Sequence, residues 1–351
     1  MIKTALRYDF ASDNTAGLAP EALSALIAAN TGFSAAYGTD TTTVAAADAL
    51  RAWLDADVPV YFLTTGTAAN AVCLAALCRP FETVLAHRYA HTITSETGAP
   101  NFFGQGLAIA GLEGAEGRID SRALKAALDV PDASHRQSPA ALSLANSTEL
   151  GTLYTVEALQ ELTQLAKSKG LATHLDGARL ANAVAAGFDH RRLRHLDIDL
   201  LVIGGAKLGM PPSEAIVVFD RKLAARFDAR LKQCGHIPSK GRFVAAPWLG
   251  MLQNGRWIEY AAHANAMARR LAARMPFEIR YPVQTNSIFV RLDAATHTGL
   301  REKGWVVHRI EEGSVRFMCS WASTAEAVEE LARTLATFAP EIDKRPPPVQ
   351  P

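Results

Sequence analysis

Along most of the chain, short apolar runs alternate with stretches of helical periodicity. VYFLTT (60–65), TVLAH (83–87), ALSLAN (141–146), LATHLD (171–176), DLLVIG (199–204) and EAIVVFD (214–220) read as strands. None shows strict apolar–polar alternation, the pattern of a sheet covered on both faces. Helices are predicted from Pro20, with Leu23, Leu26 and Ile27 on one face, and over about 43–54, 68–77, 156–169 and 181–185. Strand–helix repeats of this kind imply a mostly parallel, open sheet in an α/β fold.

The pattern changes after Gly235. HIPSKGRFVAAPWLGMLQNG (236–255) begins as a Pro/Gly/basic loop, and a long helix is predicted over about 255–275. TNSIFVRLD (285–293), GWVVHRI (304–310) and SVRFMCSW (314–321) read as alternating strands closed by a helix over 324–338. The expected organisation is a large domain over 1–245, a smaller C-terminal α+β domain over 246–340 and a proline-rich tail over 341–351.

Composition narrows the classes. Hydrophobic residues make up 49% and charged ones 20% of 351 residues, enough for a large buried core. Thirty-six basic against 35 acidic residues leave a net charge of +1, which offers no footprint for nucleic acid or an anionic membrane. The uncharged stretch 58–78 is long enough to span a bilayer, but Pro59, Gly66 and Asn70 break it into strand, turn and helix. Cys73, Cys78, Cys234 and Cys319 form no CxxC pair and read as reduced thiols. MIKTALRYDF lacks an apolar core for a signal peptide, so a cytoplasmic enzyme is expected.

Four local features bear chemistry. Thr64 to Asn70 is a strand-to-helix turn whose free N–H groups suit a phosphate, with Gly66 allowing close approach and Thr67 adding a hydroxyl. In an ordinary turn, Thr67 would simply cap the helix. Asp176, at the carboxyl end of a strand, stands where ligands of open α/β sheets bind, and Arg179 could grip a carboxylate or merely pair with Asp176. Lys207 follows a strand between small residues, 31 positions after Asp176, where room and partial burial would suit a Schiff-base amine. His91 follows the strand at 83–87 and could stack on a planar ring or move a proton. A phosphate turn, an acid for a ring nitrogen, a lysine and a ring-facing histidine together describe a pyridoxal 5'-phosphate site. No HExxH, Cys/His cluster or calcium loop suggests a metal, and GLAIAGLEGAEG (106–117) lacks the dinucleotide glycine order.

With Ser12-Asp13-Asn14, Tyr37-Gly38-Thr39-Asp40, Gln284-Thr285-Asn286 and Val315-Arg316-Phe317, these motifs resemble the low-specificity L-threonine aldolases over about residues 6–338. The resemblance implies the aspartate-aminotransferase-like fold type I. It also implies retro-aldol cleavage of L-threonine, L-allo-threonine or a related β-hydroxy-α-amino acid to glycine and an aldehyde. By the same likeness Lys207 holds the cofactor as a Schiff base, Asp176 pairs with its ring nitrogen, Gly66 and Thr67 bind its phosphate, and His91 stacks on its ring. Ser12, Arg179 and Arg316 would hold the substrate carboxylate. Arg242 would reach a neighbouring subunit's cofactor phosphate and Tyr37 would lie at that interface, in a dimer or tetramer.

Two departures stand out. Lys207 is followed by Leu-Gly-Met-Pro-Pro, and no histidine occupies Asn146-Ser147-Thr148-Glu149, where many members carry a second one. His135 lies ahead of the strand and is a poor substitute. The acceptor of the β-hydroxyl proton is therefore open among Glu149, Thr148 and a water held by His91. β-Elimination, dehydration or transamination on the same cofactor is the alternative reading, and a non-catalytic binding protein a remote one.

Overall fold

The computed structural model describes residues 5–131, 134–310 and 313–339, so the expected tail at 341–351 and the first four residues lie outside the described part. Seven strands form one sheet: β1 (Val60–Leu63), β2 (Glu82–His87), β3 (Ala108–Leu112), β4 (Ser138–Ala145), β5 (Ala172–Gly177), β6 (Leu200–Gly204) and β7 (Glu214–Val218), in the order β1-β7-β6-β5-β4-β2-β3. Strands β2 to β6 pair in parallel, while β7 runs antiparallel to both β6 and β1. The reversal matters for the site. The carboxyl ends of β1, β2, β4, β5 and β6 and the start of β7 share one edge, and Glu214 stands in register with both Leu63 and Gly204.

Helices cover both faces, as the run pattern predicts. The core holds Leu50, Leu142, Leu159, Leu175, Leu201 and Val217 on one side and Leu63, Val72, Leu200, Val202 and Ile216 on the other. At the site end of the sheet, β5 with the turn after it and β6 approach closely at glycines. A Cβ on Gly177 would lie 2.5 Å from the Val202 carbonyl oxygen, and one on Gly204 would lie 2.3 Å from that of Ala178.

A second sheet, β8 (Ser287–Arg291), β9 (His308–Arg309) and β10 (Ser314–Met318), is antiparallel in the order β8-β10-β9. Its core contains Ile288, Val290, Val315, Phe317, Leu331 and Phe10. The helix Arg256–Ala272 joins the two, burying Trp257 and Ala261 in the first core and Ala268 and Leu271 in the second.

Two sequence expectations are corrected. The strand expected over 304–310 shrinks to His308–Arg309, because the preceding residues pair with the segment around Arg7, which donates to the Gly304 carbonyl at 2.8 Å and accepts from the Val306 N–H at 2.9 Å. The 236–255 stretch is not only loop. Arg242–Leu252 is helical despite Pro247, and Gly250 lets it lie against the Pro20–Ala29 helix, where a Cβ would come 2.3 Å from the Glu21 carbonyl oxygen. Strand β3, where the sequence pattern predicts no element, carries Gly111 pressed against Arg88.

Candidate active site

The shared edge of the seven-stranded sheet opens into a cavity of about 590 Å³. Ser12, Gly66, Thr67, Asn70, His91, Glu149, Asp176, Arg179, Lys207, Glu214 and Arg316 all line it. Eight of the ten residues singled out from sequence are thus brought together. Tyr37 and Arg242 are not. They neighbour each other outside the lining, with the Tyr37 N–H donating to the Ser239 carbonyl at 3.0 Å. Tyr37 is 54% exposed, and the Arg242 Nε is buried without a hydrogen-bond acceptor.

After β1 the chain turns into the helix Gly66–Leu77. Its cap is Thr65, whose hydroxyl accepts from the Ala68 N–H at 3.1 Å. Thr67 is therefore not the capping residue, and the helix's own ladder has no acceptor for the Gly66 and Thr67 N–H groups. A Cβ built on Gly66 meets no atom within 4 Å, so this end of the cavity has room for a group that the protein does not supply.

Asp176 ends β5 as a buried carboxylate. Its Oδ2 accepts from Asn70 Nδ2 at 2.9 Å and its Oδ1 from the Ala178 N–H at 2.9 Å. Burial pushes this carboxyl up, but the Lys207 charge and these hydrogen bonds outweigh it and hold the group below the usual carboxylate range. His174, two residues earlier, is held near 4 by burial and stays neutral, its Nδ1 bonded to Ser143 Oγ at 2.9 Å.

Lys207 sits half-buried on the short turn Ala206–Leu208 after β6. The small residues before it do not leave the space expected of them. A Cβ on Gly205 would lie 2.5 Å from the Ser213 carbonyl oxygen and 2.7 Å from Met210 Sδ, so these glycines press the turn into the fold. Glu214 fixes the same turn by accepting from the Gly205 N–H at 3.1 Å. Burial drives the Glu214 carboxyl up to about 7, with the Lys207 charge and the Gly205 N–H opposing.

Arg179 and Arg316 bring positive charge from opposite sides. Arg179 binds Asp13 through Nε at 2.7 Å and Nη2 at 3.1 Å, and Asn286 also donates to Asp13 at 3.1 Å. Burial works against both charges of this pair, yet their attraction leaves Asp13 lowered and Arg179 raised from their ordinary values. Arg316, on β10, has its Nε buried without an acceptor. Burial first, then repulsion from Arg179, lowers its hold on its proton. A half-buried guanidinium lining a cavity, with its Nε buried and without an acceptor, suits an anionic ligand.

His91 opens a short helix after β2, with Nδ1 2.8 Å from Glu96 Oε1. His135, exposed ahead of β4, lies at the opposite end of that parallel strand from the site. Sequence reasoning assigns no role to Asp13, Asn70, Glu96 or Glu214. Asp13 and Asn70 lie within motifs quoted above, whereas Glu96 and Glu214 are single acids whose importance arises only from burial.

The beta-eliminating lyase family profile matches residues 9–295. The chain belongs to this family. Within this lyase family it is 41% identical to the low specificity L-threonine aldolase of Pseudomonas aeruginosa, over 93% of this chain and 96% of that protein. It is 39% identical to the enzyme of the same name from another Pseudomonas strain, over 92% and 95% of the two chains. The solved structure of Leishmania major threonine aldolase superposes with a TM-score of 0.88 at 26% identity, covering 95% of this chain and all of that one. The lyase is an α/β pyridoxal-phosphate enzyme of the aminotransferase-like fold. The residues present fit that cofactor: room beside Gly66, a buried anion at Asp176, an amine at Lys207 and a guanidinium at Arg316 whose buried Nε has no acceptor lie around one cavity.

Proposed function

We propose that the protein cleaves L-threonine, L-allo-threonine or a related β-hydroxy-α-amino acid to glycine and an aldehyde. The observation that carries this reading is the cavity itself, which brings Lys207 and Asp176 together with two arginines and the Glu149 carboxylate. Likeness to the Pseudomonas enzymes, named for threonine aldol cleavage, supports the same reaction. When bound, pyridoxal phosphate supplies an electron sink for the bond that breaks. Lys207 Nζ would carry it, Asp176 would face its ring nitrogen, the Gly66 and Thr67 N–H groups would hold its phosphate, and His91 would cover its ring. Ser12, Arg179 and Arg316 would fix the substrate carboxylate, which orients the bond to be cleaved.

A proton must leave the β-hydroxyl. Of the candidates, Thr148 is spent within the protein, its hydroxyl 2.7 Å from Thr152 Oγ1. His91 is engaged through Nδ1 with Glu96, whose hydrogen bond raises the imidazole above its ordinary value. Glu149 lines the cavity and takes that proton in this reading.

The substrate side chain has room to grow. Beyond Ser95, Glu149 and Arg316 the cavity adjoins a recess of about 230 Å³ lined by Leu150, Tyr281, Phe289 and Ile310. An apolar protein cavity of about 150 Å³ accepts benzene, so β-phenylserine fits the recess by size. Tyr37 and Arg242 are assigned to a second subunit's site, in a dimer or tetramer. Support comes from the unpaired Arg242 Nε and the exposed apolar Leu23, Ile27 and Phe33 near Tyr37 in the chain. Among the described residues no helix is long and apolar enough to cross a membrane, which is compatible with the cytoplasmic location we assign.

The test is to supply the cofactor-loaded enzyme with L-threonine, L-allo-threonine and phenylserine and to assay glycine and aldehyde. Glycine with the matching aldehyde is expected from at least one. Ammonia with a keto acid instead would move the reaction to β-elimination.

A further inference from the structure

Along one side of the cavity, three elements contribute side chains to one hydrogen-bonded row. Asn70 lies on the helix Gly66–Leu77, 2% exposed, and Glu96 follows the short helix His91–Thr94, 3% exposed. Asn70 Nδ2 has two hydrogens. One is given to Asp176 Oδ2 at 2.9 Å and the other to Glu96 Oε1 at 2.8 Å. The same Glu96 oxygen lies 2.8 Å from His91 Nδ1. One amide therefore stands between two buried carboxylates, and the second carboxylate holds the imidazole. Glu96 Oε2 and Asn70 Oδ1 are buried with no hydrogen-bond partner, so these two residues make no further side-chain link to the protein.

We propose that Asn70 and Glu96 are positioning residues that transmit the charge on Asp176 to His91, fixing its ring through Nδ1 and leaving Nε2 for the cavity. The physical reason is the shortage of compensation. Two carboxylates that share one amide donor in a low-dielectric site cannot both be freely ionised. Asp176 has the Lys207 charge and the Ala178 N–H to hold its negative charge. Glu96 has only Asn70 and His91, and burial first, then the Asp176 charge, raises its carboxyl above its ordinary value. The contact that meets this shortage is the one between Glu96 Oε1 and His91 Nδ1. The charged groups acting on His91 are Glu96, Glu149 after β4 and Asp176 on β5. Of these, Glu96 alone is hydrogen-bonded to the ring. Asn70 stabilises the ionised form of Glu96, so it strengthens the hold of Glu96 on the imidazolium.

The role rests on the assignment of Asp176 and His91 to the cofactor, but it is tested on the imidazole itself. The His91 titration midpoint is measured by NMR in the loaded enzyme, its resonance identified by loss in His91→Asn. Glu96→Gln keeps shape and volume and removes the charge, and is expected to lower that midpoint by about one pH unit or more. Asn70→Ala, which weakens the ionised form of Glu96, is expected to lower it by less. Thermal unfolding of Glu96→Gln close to that of the parent would separate charge from packing. An unmoved His91 midpoint in Glu96→Gln overturns the proposal, whatever happens to stability. Loss of aldol cleavage in the parent, with the midpoint shifts intact, would overturn the proposed reaction and leave the coupling standing.

Discussion

The two arginines of the cavity carry the same charge in opposite circumstances. Arg179 enters from the seven-stranded sheet already bound to Asp13 by two hydrogen bonds, with Asn286 holding the carboxylate in turn. Arg316 enters from the three-stranded sheet with its Nε buried and no acceptor. A buried charge left without its partner is costly. Arg179 is thus built into the fold, whereas Arg316 leaves part of its pairing to a ligand. The floor of the site is preorganised, and its roof is completed by what binds.

The largest effect is expected at the floor. Lys207→Ala should remove the visible absorbance of the bound cofactor and lower turnover at least about 10³-fold. Steady activity in that variant would break the assignment of Lys207. Next comes the contrast between the arginines. Asp13→Ala leaves Arg179 buried and unpaired and should cost about 3–5 kcal/mol of stability by denaturant unfolding. Arg316→Leu should leave the fold as stable as the parent or more so, while raising KM about 10–100-fold through loss of a charge-assisted hydrogen bond. Equal destabilisation by both substitutions would erase the distinction between built-in and ligand-completed charge.

The smallest effect concerns Glu214, whose folded-state value of about 7 lies above the ordinary carboxylate range. For an acid raised on folding, the unfolded chain ionises first as pH rises. Stability is therefore lost between about pH 4.5 and 7, and the penalty is complete above 7. Glu214→Gln should be more stable relative to the parent at pH 8 than at pH 5, by at most about 3 kcal/mol. Asp13 and Asp176 have the opposite sign. Their contributions are present above the usual carboxylate range and disappear as pH falls through their lowered values. A Glu214→Gln difference that did not change with pH would remove Glu214 as a titrating group.

Much of this is legible in the sequence, for a physical reason. Strands in a doubly covered sheet are apolar throughout, so β2, β4, β5, β6 and β7 stand out. Residues that follow such strands fall at one edge, so the order of the chain alone is enough to group His91, Asp176, Arg179 and Lys207. What stays hidden is of two kinds. Glycine and proline read as breakers, yet Gly111 and Gly250 serve close packing and Pro247 sits within a helix, so the pattern conceals β3 and the helix Arg242–Leu252. The partners of the legible residues are hidden as well. Glu96 lies 26 positions from Asn70, and Asp13 lies 166 from Arg179, with no local pattern to join them. The cap at Thr65 cannot be told from one at Thr67, because either threonine satisfies the same sequence pattern.

The contacts of the segment around residues 7–13 have a consequence for synthesis. Arg7 is hydrogen-bonded to Gly304 and Val306, Phe10 accepts from the Met318 N–H, and Asp13 is held by Asn286. The ribosome releases one side of each of these contacts roughly 270 to 310 positions before the other. The seven-stranded sheet can assemble on the emerging chain and offer Arg179 to Asp13, but the contacts of this segment with Asn286, Gly304, Val306 and Met318 wait until β8 and β10 have left the exit tunnel. The catalytic chamber is therefore sealed last, and a nascent chain cut short before Met318 would lack the strand that anchors Phe10.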